Sequence, residues 1–358
     1  MAVHFHSLII KEVKKETADC VTISFDVPQE LKQYFEFTQG QNVTLKTVID
    51  GDEIRRSYSI CSAPYENQLT VAVKKADWGR FSTFANDVLQ AGMTMDVLSP
   101  TGKFHTALKK ENKKNYTAFA AGSGITPIIS IIKTTLATEP GSTFTLVYSN
   151  RSRSSIIFFE ELEGIKNKYL QRFQLIHILS RERMDTDISF GRINEEKLKA
   201  LSRLINYHTI DEFFICGPEE MIFTVKDFLL HQGISEKNIH FELFAAVKKT
   251  NPSYQQKTPN ADRTANSSVI IKLDGRSFEF EKGFDDTSIL DAALKAGADL
   301  PFACKGGVCC TCKAKLIEGK VEMDVHWGLE EEEVKQGYIL TCQSHPLTEK
   351  VVIDFDSR

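Results

Sequence analysis

Long apolar runs are missing from this sequence: nowhere do 18 or more apolar residues follow one another, so no membrane-spanning helix is expected. A basic excess is missing as well. There are 44 Lys and Arg against 48 Asp and Glu, a formal net charge of -4, which argues against nucleic acid as the partner. The opening stretch MAVHFHSLIIKEVKKETADC alternates like a strand and has no signal-peptide core. Evenly spread cysteines, the mark of a small disulfide-stapled secreted domain, are absent too. Cys20, Cys61 and Cys216 are scattered, whereas Cys304, Cys309, Cys310 and Cys312 crowd into one loop and Cys342 follows. Clustered thiols without a secretion signal read as a metal site in a reducing, cytoplasmic compartment.

What is present is a globular composition, 42% apolar and 26% charged over 358 residues, enough for two or three domains. Residues 1–107 read as short strands between turns. CVTISFDV, NVTLKTVI and QLTVAVKK are rich in β-branched residues, and Asp50-Gly51 is a hairpin signal. Many short strands with little helix predict an antiparallel β-barrel. Residues 113–244 alternate strand and helix, from NYTAFAA and PIISIIKTTL to EFFICG and EEMIFTVKDFLLHQG. That is the pattern of a doubly wound α/β domain. Residues 248–268 are polar, contain two prolines and show no apolar period, so they read as a linker. Residues 269–358 begin with a hairpin, VIIKLDGRSFEF, and a helix, SILDAALKAG. This last unit has 17 acidic and 11 basic residues; a solvated acidic surface is the preferred reading over a docking face.

The cysteines carry the sharpest signal. Cys304, Cys309 and Cys312 are spaced C-x4-C-x2-C, and Cys342 follows at a distance. Two irons need four thiolates, and this is the plant-type [2Fe–2S] spacing. Gly306 and Gly307 let the backbone approach inorganic sulfide and turn N–H groups toward it. Cys310 lies outside the frame and reads as a non-ligand thiol with a weak S–H hydrogen bond to a sulfide. Structural zinc is the alternative, although zinc motifs usually repeat C-x2-C pairs.

The segments PFACKGGVCCTCKAKLIEGKV and YILTCQSHP resemble the plant-type ferredoxins, which implies an α+β β-grasp fold for the last unit. Four weaker pieces precede it in order: RRSYS, WGRFST, GSGITP and CGP. As an ordered set they resemble the ferredoxin–NADP reductase superfamily. The resemblance implies a flavin-binding barrel followed by a nicotinamide nucleotide domain. Arg56, Tyr58 and Ser59 would then hold FAD, together with Val73, Lys74, Gly79, Phe81, Ser82 and Thr83; FMN stays open. Gly122, Gly124, Thr126 and Pro127 would meet the nicotinamide nucleotide, with Cys216, Gly217 and Pro218 opposite them. IHFELF resembles the family's ending of this domain and places Glu242 and Phe244 near the flavin ring. Tyr58, Ser59, Cys216, Glu242 and Phe244 are thus the expected catalytic group. Ser180, Arg181 and the later Arg192 resemble a 2′-phosphate pocket, which favours NADPH over NADH, and two guanidiniums with a hydroxyl suit a phosphate dianion. Arg151 and Arg153 are further phosphate neighbours.

The order barrel, nucleotide domain, ferredoxin is that of one-chain oxygenase reductases. YSNRS, FFEELEGIKNKY and LSRE resemble the phenylacetyl-CoA epoxygenase group of these, and steroid-hydroxylase reductases share the layout. The expected partner is an oxygenase that accepts single electrons. A nicotinamide yields two together, so flavin and cluster would stand between them. A stand-alone flavin/iron–sulfur oxidoreductase or a redox sensor is the alternative function.

Overall fold

A computed structural model describes residues 4–183, 186–244, 266–284 and 287–357. The chain divides into two compact units. One is His6–Leu243; the other takes Phe244–Arg358 with the first residues. No helix among the described residues is long and apolar enough to cross a membrane.

The first unit opens with strands β1 (Phe5–Thr17), β2 (Cys20–Asp26), β3 (Asn42–Ile49), β4 (Asp52–Ser59), β5 (Leu69–Lys74) and β6 (Thr94–Leu98), with helix α1 (Arg80–Asp87) after β5. They form a six-stranded sheet in the order β4-β3-β6-β1-β2-β5, with antiparallel pairing for β1–β2, β2–β5, β3–β4 and β3–β6. The β3–β4 hairpin closes through Asp50 and Gly51, at φ 53° and 82°, the left-handed pair that a tight hairpin needs. Alternate residues Leu8, Ile10, Val21, Ile23, Val71 and Val73 fill the barrel core.

The same unit continues as β7 (Asn115–Ala121), α2 (Ile125–Thr138), β8 (Thr143–Asn150), α3 (Phe159–Lys168), β9 (Phe173–Leu179), α4 (Glu195–Leu201), β10 (Glu212–Cys216), α5 (Glu219–His231) and β11 (Ile239–Glu242). The sheet order is β11-β10-β7-β8-β9, and every neighbouring pair is parallel. Strand order reverses between β7 and β10, which opens a crevice at their carboxyl ends. α2 is buried almost all round, twelve of its fourteen residues being buried. A helix of that kind belongs between layers. Its outer face meets the barrel: Cys20, Cys61, Ala72 and Phe104 share one core with Ile125, Ile128 and Phe214. Buried Lys133 completes this contact, 2.9 Å from both Glu66 of the barrel and Glu161 of α3. Ser130 Oγ donates to the Ser62 carbonyl at 2.7 Å.

The second unit contains β12 (Ser267–Leu273), β13 (Arg276–Lys282), α6 (Ile289–Lys295), β14 (Lys313–Glu318), β15 (Val321–Met323), α7 (Glu331–Lys335), β16 (Tyr338–Leu340), β17 (Ser344–Pro346) and β18 (Lys350–Asp354). Its main sheet runs β13-β12-β18-β14-β16, with β12 and β18 parallel at the centre and α6 packed on one face through Ile289, Leu290 and Ala293. Most of the expected linker, 248–268, lies outside the described residues. Its last two residues differ from that expectation: Ser267 and Ser268 already pair in β12, opposite Lys282 and Glu281.

The packing of the nucleotide domain can be tested at two points. A β-carbon at Gly124 would lie 2.1 Å from the Cys216 carbonyl oxygen, whereas one at Gly122 meets nothing within 4 Å and faces only a φ of +53°. G124A should cost about 3 kcal/mol in urea unfolding, as backbone must move, and G122A about 1 kcal/mol. His177 on β9 is largely buried, and neither ring nitrogen has a hydrogen-bond partner among the described residues. Glu163 stands 3.8 Å away. Burial first, and then Lys166 and Arg153, hold its pKa below the ordinary 6.5 against the pull of Glu163. The unfolded chain therefore takes up this proton at higher pH than the folded one. The stability of keeping His177 neutral is full above about pH 6.5 and is lost as pH falls toward the folded value. Relative to H177F, the wild type should lose up to ~1.4 kcal/mol per pH unit in that window. Parallel pH profiles of the two proteins would refute this.

Candidate redox sites

At the end of β4, Tyr58 lies against Phe81 of α1, ring centroids 5.4 Å apart. Burial pushes the Tyr58 hydroxyl well up, so it stays a neutral phenol. Ser59 is buried, and its Oγ donates to Glu242 Oε2 at 3.2 Å. The barrel and the nucleotide domain thus meet at this bond. Glu242 ends β11 directly beside Cys216 of β10. Cys216 is fully buried; burial, and after it the Glu242 charge, drives its thiol pKa up. The structure brings Ser59, Glu242 and Cys216 together, with Tyr58 next to them. Phe244 is exposed and is the last described residue before 245–265.

Other expected flavin residues separate by what their atoms are free to do. Arg56 is exposed, and its Nη1 donates to the Arg55 carbonyl. Val73 points into the barrel core, and its carbonyl accepts from Asn86, so its side chain faces no site. Lys74 stands 3.6 Å from Asp19. Gly79 caps α1. The Ser82 hydroxyl is committed to the turn: it accepts from Ala76 N at 3.0 Å and donates to the Gly79 carbonyl at 3.1 Å. Phe81 is core, and Thr83 is half-buried one turn along. Sequence reading passed over Trp78, fully exposed at φ 62°; the available signal was a tryptophan where a turn before Gly79 favours glycine.

Across the crevice, Gly122–Gly124 forms a tight turn into α2, held by Tyr148 Oη donating to the Gly122 carbonyl at 2.9 Å. Gly124 packs on Cys216 and Gly217 with no room for a side chain. Thr126 Oγ1 turns back to the Ser123 carbonyl. Pro127 sits in the first turn of α2, where a missing N–H costs nothing, and Pro218 caps α5. The starts of both helices, α2 at Ile125 and α5 at Glu219, thus follow directly on the carboxyl ends of β7 and β10. At the far edge, Ser180 N donates to Asn150 and Arg181 N to Arg151, at 2.9 and 2.8 Å. Gly191 N donates to Leu179, which brings Arg192 to the same strand end. Arg153 N donates to Glu182, and its guanidinium lies 4.8 Å over the Phe159 ring.

In the second unit the sulfurs group two and two. Cys304 hydrogen-bonds Cys309, whose thiol is thereby held below its ordinary value. Cys312 likewise lowers Cys342. Backbone amides of Gly306 and Val308 reach Cys304, that of Thr311 reaches Cys309, and that of Gly307 reaches Cys342. Lys305, Gly307 and Cys310 have φ of 52°, 74° and 53°, so the loop turns its N–H groups inward. A β-carbon at Gly307 would strike Val325 Cγ2 at 2.7 Å. Among the described residues no three His, Cys, Asp or Glu side chains share a single-ion position. Two pairs within a cage of amides fit a two-iron cluster and not one tetrahedral zinc. The Cys310 thiol donates to the Gly328 carbonyl. A cavity of about 620 Å³ opens beside Cys342, walled by the Lys305–Asp291 ion pair and the His345–Asp324 hydrogen bond.

Three family models match in sequence: an oxidoreductase FAD-binding domain over residues 7–106, an oxidoreductase NAD-binding domain over 119–227, and a 2Fe-2S iron-sulfur cluster binding domain over 271–347. The chain is 46% identical to a component of the 1,2-phenylacetyl-CoA epoxidase of Escherichia coli (strain K12), over 99% of this chain and 98% of that one. It is 34% identical to the 3-ketosteroid-9-alpha-monooxygenase ferredoxin reductase component of Rhodococcus rhodochrous, over 97% and 96%. The fold matches phthalate dioxygenase reductase with a TM-score of 0.58 at 24% identity, covering 98% of both chains. A barrel with an FAD-binding signature, a parallel sheet with a nucleotide crevice and a loop of paired cysteines thus follow one another as in these relatives, and the chain belongs to the oxidoreductase family of flavin- and [2Fe–2S]-containing reductase components of oxygenase systems.

Proposed function

We propose that this chain is the NADPH-dependent reductase of a phenylacetyl-CoA epoxidase-type oxygenase and works in the cytoplasm. The observation that carries the reading is the Ser59–Glu242–Cys216 contact at the mouth of the crevice, joined in one chain with the paired sulfurs. Identity of 46% along nearly the full length of the epoxidase component supports that partner over the steroid type. Clustered thiols call for a reducing compartment.

When bound, the flavin takes an electron pair as hydride and the [2Fe–2S] cluster carries electrons singly. Arg56 sets a positive charge where a pyrophosphate would lie. Neutral Tyr58 offers a flat face to the flavin ring. The Ser59 hydroxyl, oriented by Glu242, stands at the reacting edge. Cys216 stays a thiol there, small and uncharged, and leaves room for a nicotinamide. Gly122 and Gly124 admit the nucleotide backbone to the amides of α2. Ser180, Arg181 and Arg192 meet the 2′-phosphate. Cys304 with Cys309 would hold one iron, and Cys312 with Cys342 the other.

Anaerobic titration with NADPH tests the reading as a whole: flavin and cluster absorbance should bleach together. Cysteine variants test the ligand set. C304S, C309S, C312S and C342S should each lose iron and acid-labile sulfide, and C310S should keep both. Equal loss in C310S would move the ligand frame. The R181A/R192A double variant should raise the KM for NADPH roughly tenfold while leaving that for NADH unchanged. A wild type that prefers NADH would sink the nucleotide assignment.

A further inference from the structure

Two cysteines of the second unit are each followed directly by a lysine: Lys305 after Cys304 and Lys313 after Cys312. Both lysines are paired, and burial separates the pairs. Lys305 and Asp291 meet at 2.6 Å, but each side chain is 42% exposed, so water and salt screen them. Lys313 Nζ lies 3.2 Å from Glu333 Oε1, and these side chains are only 18% and 8% exposed. Charge acts more strongly and over a longer range there. Lys313 opens β14, and its backbone pairs with Leu340 of β16, just ahead of Cys342. Thr341 Oγ1 donates back to the Cys312 carbonyl at 3.1 Å. Lys313 therefore sits where the Cys312 and Cys342 segments are tied together.

The pair is held from several sides. The Lys313 ammonium lies 4.9 Å over the Tyr338 ring, and the Lys313 N–H is committed to the Cys310 carbonyl at 3.0 Å. Glu333 Oε2 accepts from Glu330 N at 3.0 Å, at the start of α7. A buried ion pair adds little net stability, because desolvation offsets its attraction. Its fixed charges still act on any charge that changes beside them. One electron arriving from the flavin adds one negative charge at the cluster and then leaves for the oxygenase; no bond to the protein forms or breaks. A neighbouring cation favours the reduced state, and a neighbouring carboxylate opposes it. We propose that the Lys313–Glu333 pair sets the reduction potential of the cluster: Lys313 raises it, and Glu333 moderates that rise while holding the ammonium in place. Neither side chain is a ligand; both act by charge. The proposal rests on the reading that Cys304, Cys309, Cys312 and Cys342 hold the cluster.

The test is an anaerobic redox titration of the full-length protein with mediators. The electron paramagnetic resonance signal of the reduced cluster and the flavin absorbance are followed in parallel. E333Q keeps an oxygen that can accept from Glu330 N and leaves Lys313 uncompensated. Its reduced-to-oxidised cluster ratio at a fixed potential should rise about tenfold, a shift of about 59 mV for one electron. K313M leaves Glu333 uncompensated, and the ratio should fall by about as much. The K313M/E333Q double variant should return to within about threefold of wild type, and K313R should stay there too. Iron and acid-labile sulfide content checks that every variant keeps its cluster. The flavin belongs to the other compact unit, and its potential is the internal reference. Opposite shifts in the two single variants, with the flavin unmoved, are the expected result. No shift in either, shifts of one sign in both, or a flavin that moves with the cluster would overturn the proposal. So would loss of iron from E333Q and K313M alike, which would leave the pair a structural role alone. A wild type purified anaerobically without iron and sulfide would instead remove the ligand reading itself.

Discussion

The nucleotide-binding half of the molecule depends on one backbone contact, the seating of Gly124 on the Cys216 carbonyl with no space for a β-carbon. Parallel strands β7 and β10 are neighbours in the sheet, yet their following helices leave on opposite sides. The turns must pass each other at the switch point, and only glycine allows that approach. Cys216 is fully buried at this point, and the β10–β11 register sets Glu242 at its side. The barrel then has one way to complete the site, by offering Ser59 to Glu242. The apolar α2 interface and the Lys133 triad hold it there. Two partly exposed carboxylates around one buried ammonium are a costly way to add stability. Their geometric effect is plainer: they fix α2, and with it the Gly122–Gly124 turn, against the barrel.

The cysteine loop solves a related problem by similar means. Four sulfurs cannot gather without repulsion unless positive charge or N–H dipoles face them. Residues 305, 307 and 310 take left-handed φ, which swings successive amides to one side, an anion-binding nest. Two of these three are not glycine, so the loop carries local strain that neighbouring contacts must hold. Cys310 supplies one such contact by donating to Gly328, whose own amide returns to Gly307 at 2.9 Å.

Much of this was legible in the residue order. β-branched alternation marked β2, β3 and β5, the Asp50-Gly51 pair marked the hairpin, and C-x4-C-x2-C marked the loop. Those signals are local, set by backbone preference and by spacing. What escaped depends on where side chains point. Nothing in the string sends Val73 into the core, turns the Ser82 hydroxyl inward or directs the Cys310 thiol to a carbonyl. The Lys133 triad joins residues 67 and 28 positions apart, and no periodicity encodes such a meeting. The polar stretch before β12 read as linker through Ser268, because serines that follow a polar, proline-containing run look like more of it. Pairing with β13 and β18 overrides that composition.

Burial separates the two chemistries of the chain. Ser59 and Cys216 are closed off, and burial keeps Tyr58 and Cys216 uncharged. Under the proposed function these residues would border the hydride transfer, and their burial would keep competing water and protons away from it. Cys304 and Cys309 are only half-buried, while Cys312 and Cys342 are buried deeper. Passing single electrons between proteins needs a centre near the surface, and the partial exposure of Cys304 and Cys309 suits that. A single domain cannot easily be both sealed and open around one redox path. Placing the barrel and sheet in one compact unit and the sulfurs in another removes that conflict, and it lets each unit keep the packing its own step requires.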